Sequence, residues 1–397
     1  MLNRISSFHN YQAVQNDLRR QETKVHNNQE QMASGKRLLK PSDDPLATHY
    51  IQNASQQSQV LNQYLNSIVL VRHRLEHQEV IVSDVENFAD DAKRTVMEII
   101  NGALSPEDRL AHLRELDEIG NNVLSLANNQ DKDGNYIFAG TKSKNQPFFR
   151  DNSGNVSYDG DDYQRKMRVA HTLDMAANDP GSKVFMEIKN PFGDYEPQYQ
   201  LQEGSELLLE KATNSNENDQ SNYKVTFVEM PEGKYGYQLE RDGAVVDADV
   251  YDSSTGINFE GLHINFKGRI TKGDSVSIEP RATFNLFDTF KNTREWAMKP
   301  VSDASATAKL HQMTEEFHAA FIHLNQIHTD IGARLGTLDM QEQQHEDFKL
   351  ALAKSKSNFE DLDYAEAVID FNENSRALQA SQQAFGKTKD LTLFNYL

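Results

Sequence analysis

The apolar residues of this chain fall on lines spaced seven apart, and the number of lines changes from segment to segment. Between residues 46 and 101 two lines run together. Leu61, Ile68, Leu75, Val82, Ala89 and Val96 form one, and Tyr64, Val71, Gln78, Val85, Ala92 and Ile99 form the other. A double line sustained over several heptads predicts one long helix with a full coiled-coil or bundle seam. From Ala304 the double line returns, with Leu310, Phe317, Leu324, Ile331 and Leu338 beside Met313, Ala320 and Ile327. That pattern predicts an antiparallel partner of comparable length. Ser105-Pro106-Glu107-Asp108 reads as cap, first-turn proline and acidic first turn, opening a shorter helix that runs to Asn128 and completes the bundle.

The two ends carry one line each. Tyr11, Leu18, Val25 and Met32 repeat at seven-residue spacing near the start, with polar Gln21 and Asn28 at the companion positions. Tyr364, Phe371, Leu378 and Phe385 do the same near the end, beside Ala367, Asn374 and Ser381. A helix with so narrow a stripe buries too little surface to stay folded alone. The economical expectation is that the two terminal helices pair with each other and with copies from neighbouring molecules, ordering only on assembly. The alternative is an ordinary terminal helix docked on its own core. Ser34-Gly35 ends the first helix, Pro41 and Pro45 bar a helix through the next stretch, and Asp43 or Asp44 caps the long helix that follows.

Between residues 151 and 280 the texture changes to strand-like runs at 184–188, 223–228, 235–239, 262–266 and 276–278, punctuated by Asp242-Gly243, Gly256, Gly261 and Gly273-Asp274. Gly134 to Thr141 reads as a further short strand, and 211–220 as a polar loop. The expected fold is mainly α with an inserted β domain: a long antiparallel helical bundle built from both chain halves. The expected domains are terminal helices 1–45 and 358–397 forming a polymerisation tip, a helical rod from 46–150 and 284–357, and a β-rich outer domain at 151–283.

Composition narrows the function. The formal charge of −19 over 397 residues argues against nucleic acid or an anionic membrane as partner, since both require clustered cations. No apolar run approaches a membrane span, and the first residues lack the apolar core of a cleaved secretory signal. The absence of cysteine excludes disulfides, thiolate metal sites and cysteine nucleophiles. No cofactor and no catalytic cluster is expected. His73 and His77 stand four apart on a helix, a spacing that can share a metal, but the flanking Arg72 and Arg74 repel cations, so a solvated charged face is the expectation. His318, His323 and His328 step by five and cannot share one face. Asp131-x-Asp133-Gly134 reads as a turn rather than a calcium loop, and Asp159 to Asp162 as a solvated acidic turn. Trp296 is expected between the helices and the β domain, and Gly332 and Gly336 are expected to permit close approach of a neighbouring helix.

Several short stretches carry a resemblance. Met32-Ala33-Ser34-Gly35-Lys36-Arg37-Leu38 and Lys40-Pro41-Ser42-Asp43-Asp44-Pro45 resemble the N-terminal signature of the flagellin superfamily. The Lys-Pro-Ser-Asp-Asp-Pro form and the opening Asn3-Arg4-Ile5-Ser6 are more similar to its hook-associated members than to filament flagellins. So are Tyr136-Ile137-Phe138-Ala139-Gly140-Thr141 with Pro147-Phe148, and the edge of the β region from Gly261 to Asp274. Ile331-Gly332-Ala333-Arg334-Leu335, Leu378-Gln379-Ala380-Ser381 and the final Leu391 to Leu397 also match. The resemblance implies a structural protein of the bacterial flagellum. Such proteins form a ring between the first hook-associated protein and flagellin, and are exported unfolded through the flagellar type III apparatus without a cleaved signal, with an export chaperone covering the C-terminal seam. A filament flagellin is the runner-up. A glycan-binding or enzymatic β domain is the third reading.

Overall fold

The computed structural model describes residues 2–101, 104–216, 219–230, 235–300 and 302–390. The final stretch from Leu391 to Leu397 therefore lies outside the described residues. Among those described, six α-helices are α1 (Leu2–Ser34), α2 (Pro45–Ile100), α3 (Pro106–Ala127), α4 (Leu286–Ala297), α5 (Ala304–Glu360) and α6 (Tyr364–Asp390). The chain divides into two compact units, one comprising 1–66 with 341–397 and the other 67–340.

In the larger unit α2 and α5 run antiparallel. Arg72 pairs with Asp339 at 2.8 Å, Asn325 donates to Glu86 at 2.9 Å, and Lys93 lies 3.3 Å from His318. The double heptad lines are the reason. From Ile68 to Ile99 every apolar member of both α2 lines is buried, as are Leu310, Phe317, Leu324, Ile331 and Leu338 on α5. The Ser105 hydroxyl accepts the Asp108 N–H and caps α3, with Pro106 in its first turn. Asn285 caps α4 in the same way through the Phe287 N–H.

Gln78, the one polar residue in the second α2 line, is fully buried and explained by long-range partners. Its side-chain amide donates to the Asp179 carboxylate and accepts the Asp179 N–H, each at 3.2 Å. Arg334 of α5 donates to the same carboxylate, and Gln164 donates to it at 2.9 Å. One buried carboxylate thus joins α2, α5 and the loop between them.

The inserted region holds short strands: β1 (Phe148–Arg150), β2 (Val156–Tyr158), β3 (Lys166–Ala170), β4 (Leu173–Ala176), β5 (Ile188–Lys189), β6 (Tyr195–Gln200) and β7 (Leu208–Asn214). After them come β8 (Tyr223–Glu229), β9 (Tyr235–Arg241), β10 (Ala244–Val250), β11 (Ile257–Phe259), β12 (Leu262–Lys267), β13 (Ser275–Pro280) and β14 (Thr283–Phe284). A five-stranded antiparallel sheet in the order β10-β9-β8-β13-β6 faces a three-stranded one in the order β11-β12-β7, and β1-β2, β3-β4 and β5-β14 form two-stranded ribbons. The larger sheets enclose their own core of Tyr195, Tyr223, Val225, Phe227, Leu239, Ile264 and Ile278.

Three local expectations need correction. Residues 182–186 form a π turn instead of the start of a strand. Gly134 to Thr141 makes only an isolated bridge between Gln130 and Tyr136, because Gly134 and Gly140 at φ +72° and +65° fold it into turns. Residues 211–214 belong to β7 rather than to a loop. Trp296 packs half-buried against a core that the helices share with the short strands β1 to β5, with the Lys299 ammonium 3.6 Å from its ring centre.

Gly332 and Gly336 also behave differently from expectation. A Cβ added at either meets nothing within 4 Å, so no helix of this chain approaches them among the described residues. Replacing each with Ala is expected to stabilise the isolated protein by about 0.5–1 kcal/mol through helix propensity. Chemical denaturation checks it. If a neighbouring copy packs on this face in an assembly, the same variants lose incorporation while gaining stability.

Candidate assembly site

The smaller unit is built from the two ends of the chain. α1 and α6 lie antiparallel: the Tyr11 and Phe385 rings are 5.2 Å apart at one end, and the Tyr364 hydroxyl donates to the Met32 carbonyl at 3.2 Å at the other. Leu18, Val25 and Met32 are half-buried along α1, and Phe371, Leu378 and Phe385 along α6. The structure therefore brings all eight single-line residues into one seam. Tyr11 and Tyr364 at its two ends remain 44% and 54% exposed.

The companion positions share the contact. Ala367 is buried at 6%, small enough for the helices to approach, and Asn374 and Ser381 are half-buried. Gln21, at the companion position of α1, has a buried side-chain oxygen with no hydrogen-bond partner among the described residues. A polar layer in a seam costs stability and selects register. The seam is thus thin and partly polar, as its sequence dictates.

Where α1 ends, the chain builds a latch that sequence reading did not find. Gly35 at φ +68° turns the chain, and its carbonyl accepts the Leu362 N–H at 3.0 Å. The Arg37 N–H donates to the Glu360 carbonyl at 2.8 Å, and the Arg37 guanidinium to the Phe359 carbonyl at 3.0 Å. Lys36 pairs with Glu360 at 2.6 Å, a hydrogen bond that holds the Glu360 carboxyl below its usual range and raises Lys36. The Lys40-Pro41-Ser42-Asp43-Asp44-Pro45 stretch gains a physical meaning here. Asp43 accepts the backbone N–H groups of Leu39 and Lys40 at 3.2 and 2.8 Å, closing the turn that the prolines permit. Asp44 accepts the Ala47 N–H at 3.0 Å and caps α2, a bond that lowers its pKa. Beyond the latch, Tyr50 stacks on Phe359 at 5.3 Å and Tyr64 on His345 at 5.5 Å.

Much apolar surface stays open on this unit. Leu46, Phe348, Leu350, Tyr364 and Ile369 are between 54% and 71% exposed.

The other residues weighed from sequence have local roles. The Asp131 carboxylate accepts the N–H groups of Asp133 and Asn135, both at 2.9 Å, and closes a turn. In the acidic run, Asp161 accepts the Thr141 N–H at 3.0 Å and Asp162 accepts the Ser182 hydroxyl, so the cluster clasps the glycine-bounded turn. His323 contacts the Lys183 carbonyl at 2.8 Å and burial lowers its pKa, while His328 lies 3.2 Å from Glu86. Among the described residues no three His, Asp or Glu side chains converge as a metal site, and no helix is long and apolar enough to cross a membrane.

A long helical framework with an inserted β domain is shared with known structures. Residues 5–143 match the bacterial flagellin N-terminal helical region. In that region and in its fold the chain is similar to flagellin-family proteins. It is similar to flagellar hook-associated protein 3 of Escherichia coli, 31% identical over 159 residues that cover 40% of this chain and 49% of that protein. The chain thus spans about half the length of the curated relatives it matches. Among solved structures, hook-associated protein 3 from Legionella pneumophila superposes with a TM-score of 0.68 at 26% identity, covering 78% of this chain and 98% of that one. FlgL of Xanthomonas campestris gives 0.64 at 25% identity, covering 75% and 98%.

Proposed function

We propose that this chain is a structural adaptor of the bacterial flagellum at the hook–filament junction, with no enzymatic role. It forms a ring with copies of itself, between the first hook-associated protein on the hook side and flagellin on the filament side. The observation that carries this reading is the terminal α1–α6 pair, which presents a thin seam and an open apolar surface in a framework similar to hook-associated protein 3. Tyr11, Leu18, Val25, Met32, Tyr364, Phe371, Leu378 and Phe385 serve as the assembly seam. Its final site is extracellular, reached through the type III apparatus without a cleaved signal peptide, and a chaperone covers the C-terminal seam before export. The terminal helices 1–45 and 358–397 form the polymerisation tip, 46–150 with 284–357 the rod, and 151–283 the outer β domain.

Deleting the gene tests the reading. Electron microscopy of whole cells is expected to show hooks without filaments, with flagellin shed into the medium. Filaments that persist in altered form would indicate a filament flagellin instead, and unchanged motility would overturn both.

A further inference from the structure

The larger unit contains a cavity of about 400 Å³ between one face of α2 and the 131–143 loop. Leu70, His73, Arg74 and His77 line it from α2, at spacings that put them on one helical face, and Arg165, Ala177 and Asn178 line it from the inserted region. The loop brings Tyr136 and Ile137 to its wall.

The charges in this cavity are unusual for an acidic chain. Arg74 is half-buried, and burial followed by repulsion from Arg165 lowers its pKa. Among the described residues neither arginine has a carboxylate within ion-pairing distance. Asp131 and Asp133 line the cavity together with Lys132, and their attraction for Arg74 is weaker than burial and the repulsion from Arg165. Asp131 is already held by two backbone N–H groups and by the Asn135 amide at 3.0 Å. Arg165 is held at the cavity through its backbone, whose N–H donates to the Asn178 side-chain oxygen at 2.8 Å. An anion between the half-buried Arg74 and the exposed Arg165 relieves the repulsion between these two cations.

We propose that this cavity binds a small organic anion, its carboxylate or phosphate group held between Arg74 and Arg165 and its body resting on Tyr136 and Ile137. The guanidinium fork matches both oxyanions. The volume lies at the small end of ligand pockets, suited to a single acidic sugar or a molecule of that size and too small for a nucleotide with its base and phosphates. The site requires nothing of the assembly seam, so it stands or falls independently of the adaptor role.

Isothermal titration of the full chain with glucuronate, inorganic phosphate and, as neutral control, glucose tests it. Saturable binding of either anion without binding of glucose is expected. Glucuronate binding assigns the site to acidic sugars, and phosphate binding alone assigns it to phosphate-bearing ligands. Arg165→Gln changes an exposed side chain and leaves the fold intact, and it is expected to weaken binding roughly tenfold or more. Arg74→Gln, with its folding checked by circular dichroism, does the same. Absence of saturable anion binding, equal binding of glucose, or wild-type affinity in Arg165→Gln overturns the proposal.

Discussion

Phe371→Asp and Leu378→Asp leave the larger unit folded and abolish incorporation into flagella. Both side chains sit half-buried on the seam face of α6. The register fixed by Tyr11–Phe385 and Tyr364–Met32 places them level with Val25 and Leu18 of α1. Each substitution removes apolar burial of about 1.5–3 kcal/mol and adds the cost of desolvating a carboxylate. A seam with a single apolar line has no second line to compensate. The larger unit is insulated, because both of its apolar cores are assembled from residues between Ile68 and Leu338. Thermal unfolding of the purified variants, followed by near-ultraviolet circular dichroism, should retain the main transition. Microscopy of cells expressing them should show bare hooks. A variant that assembled at the normal level would show that the seam is not the assembly element.

The helical framework was legible because each of its long helices writes its buried face locally. Two heptad lines specify α2 to within a residue and the start of α5 at Ala304, and Ser105-Pro106 marks the start of α3. The terminal pair was legible for the opposite reason: a single line signals a helix that needs company. What could not be read depends on partners remote in sequence. Arg37 finds the Phe359 carbonyl 322 positions away, and Gln78 finds Asp179 across 101. In isolation, Gln78 is only a blemish in a heptad and Arg37 only a surface charge. The β region was half legible. Strands β8, β9, β12 and β13 alternate or carry β-branched and aromatic runs. β6 contains Pro197 and the polar Glu196, Gln198 and Gln200, which its place at the sheet edge tolerates. Residues 182–186 contain Val184, Phe185 and Met186, all apolar enough for a strand, and only the tertiary core shows that they form a π turn.

The second large effect is expected at Asp179. Its carboxylate is 1% exposed and is shared by Arg334, Gln78, Gln164 and Lys183. Asp179→Ala leaves the Arg334 guanidinium, itself only 17% exposed, without its anion, and strips the Gln78 amide of a partner inside the α2–α5 interface. Removing one member of a buried pair costs about 3–5 kcal/mol, because the charge left behind stays out of water. Denaturant unfolding is therefore expected to show a loss of that size in the larger unit. Lys183→Ala removes a half-exposed cation 3.4 Å from the same carboxylate, and its cost is expected to stay below about 1 kcal/mol. The double substitution Asp179→Leu with Arg334→Met separates electrostatics from packing. If the cost of Asp179→Ala comes from the stranded guanidinium, removing both charges recovers most of the loss. If the double variant is as unstable as the single one, the carboxylate matters through its hydrogen bonds to Gln78 and Gln164, and the joint between α2 and α5 is a neutral network rather than an ion pair.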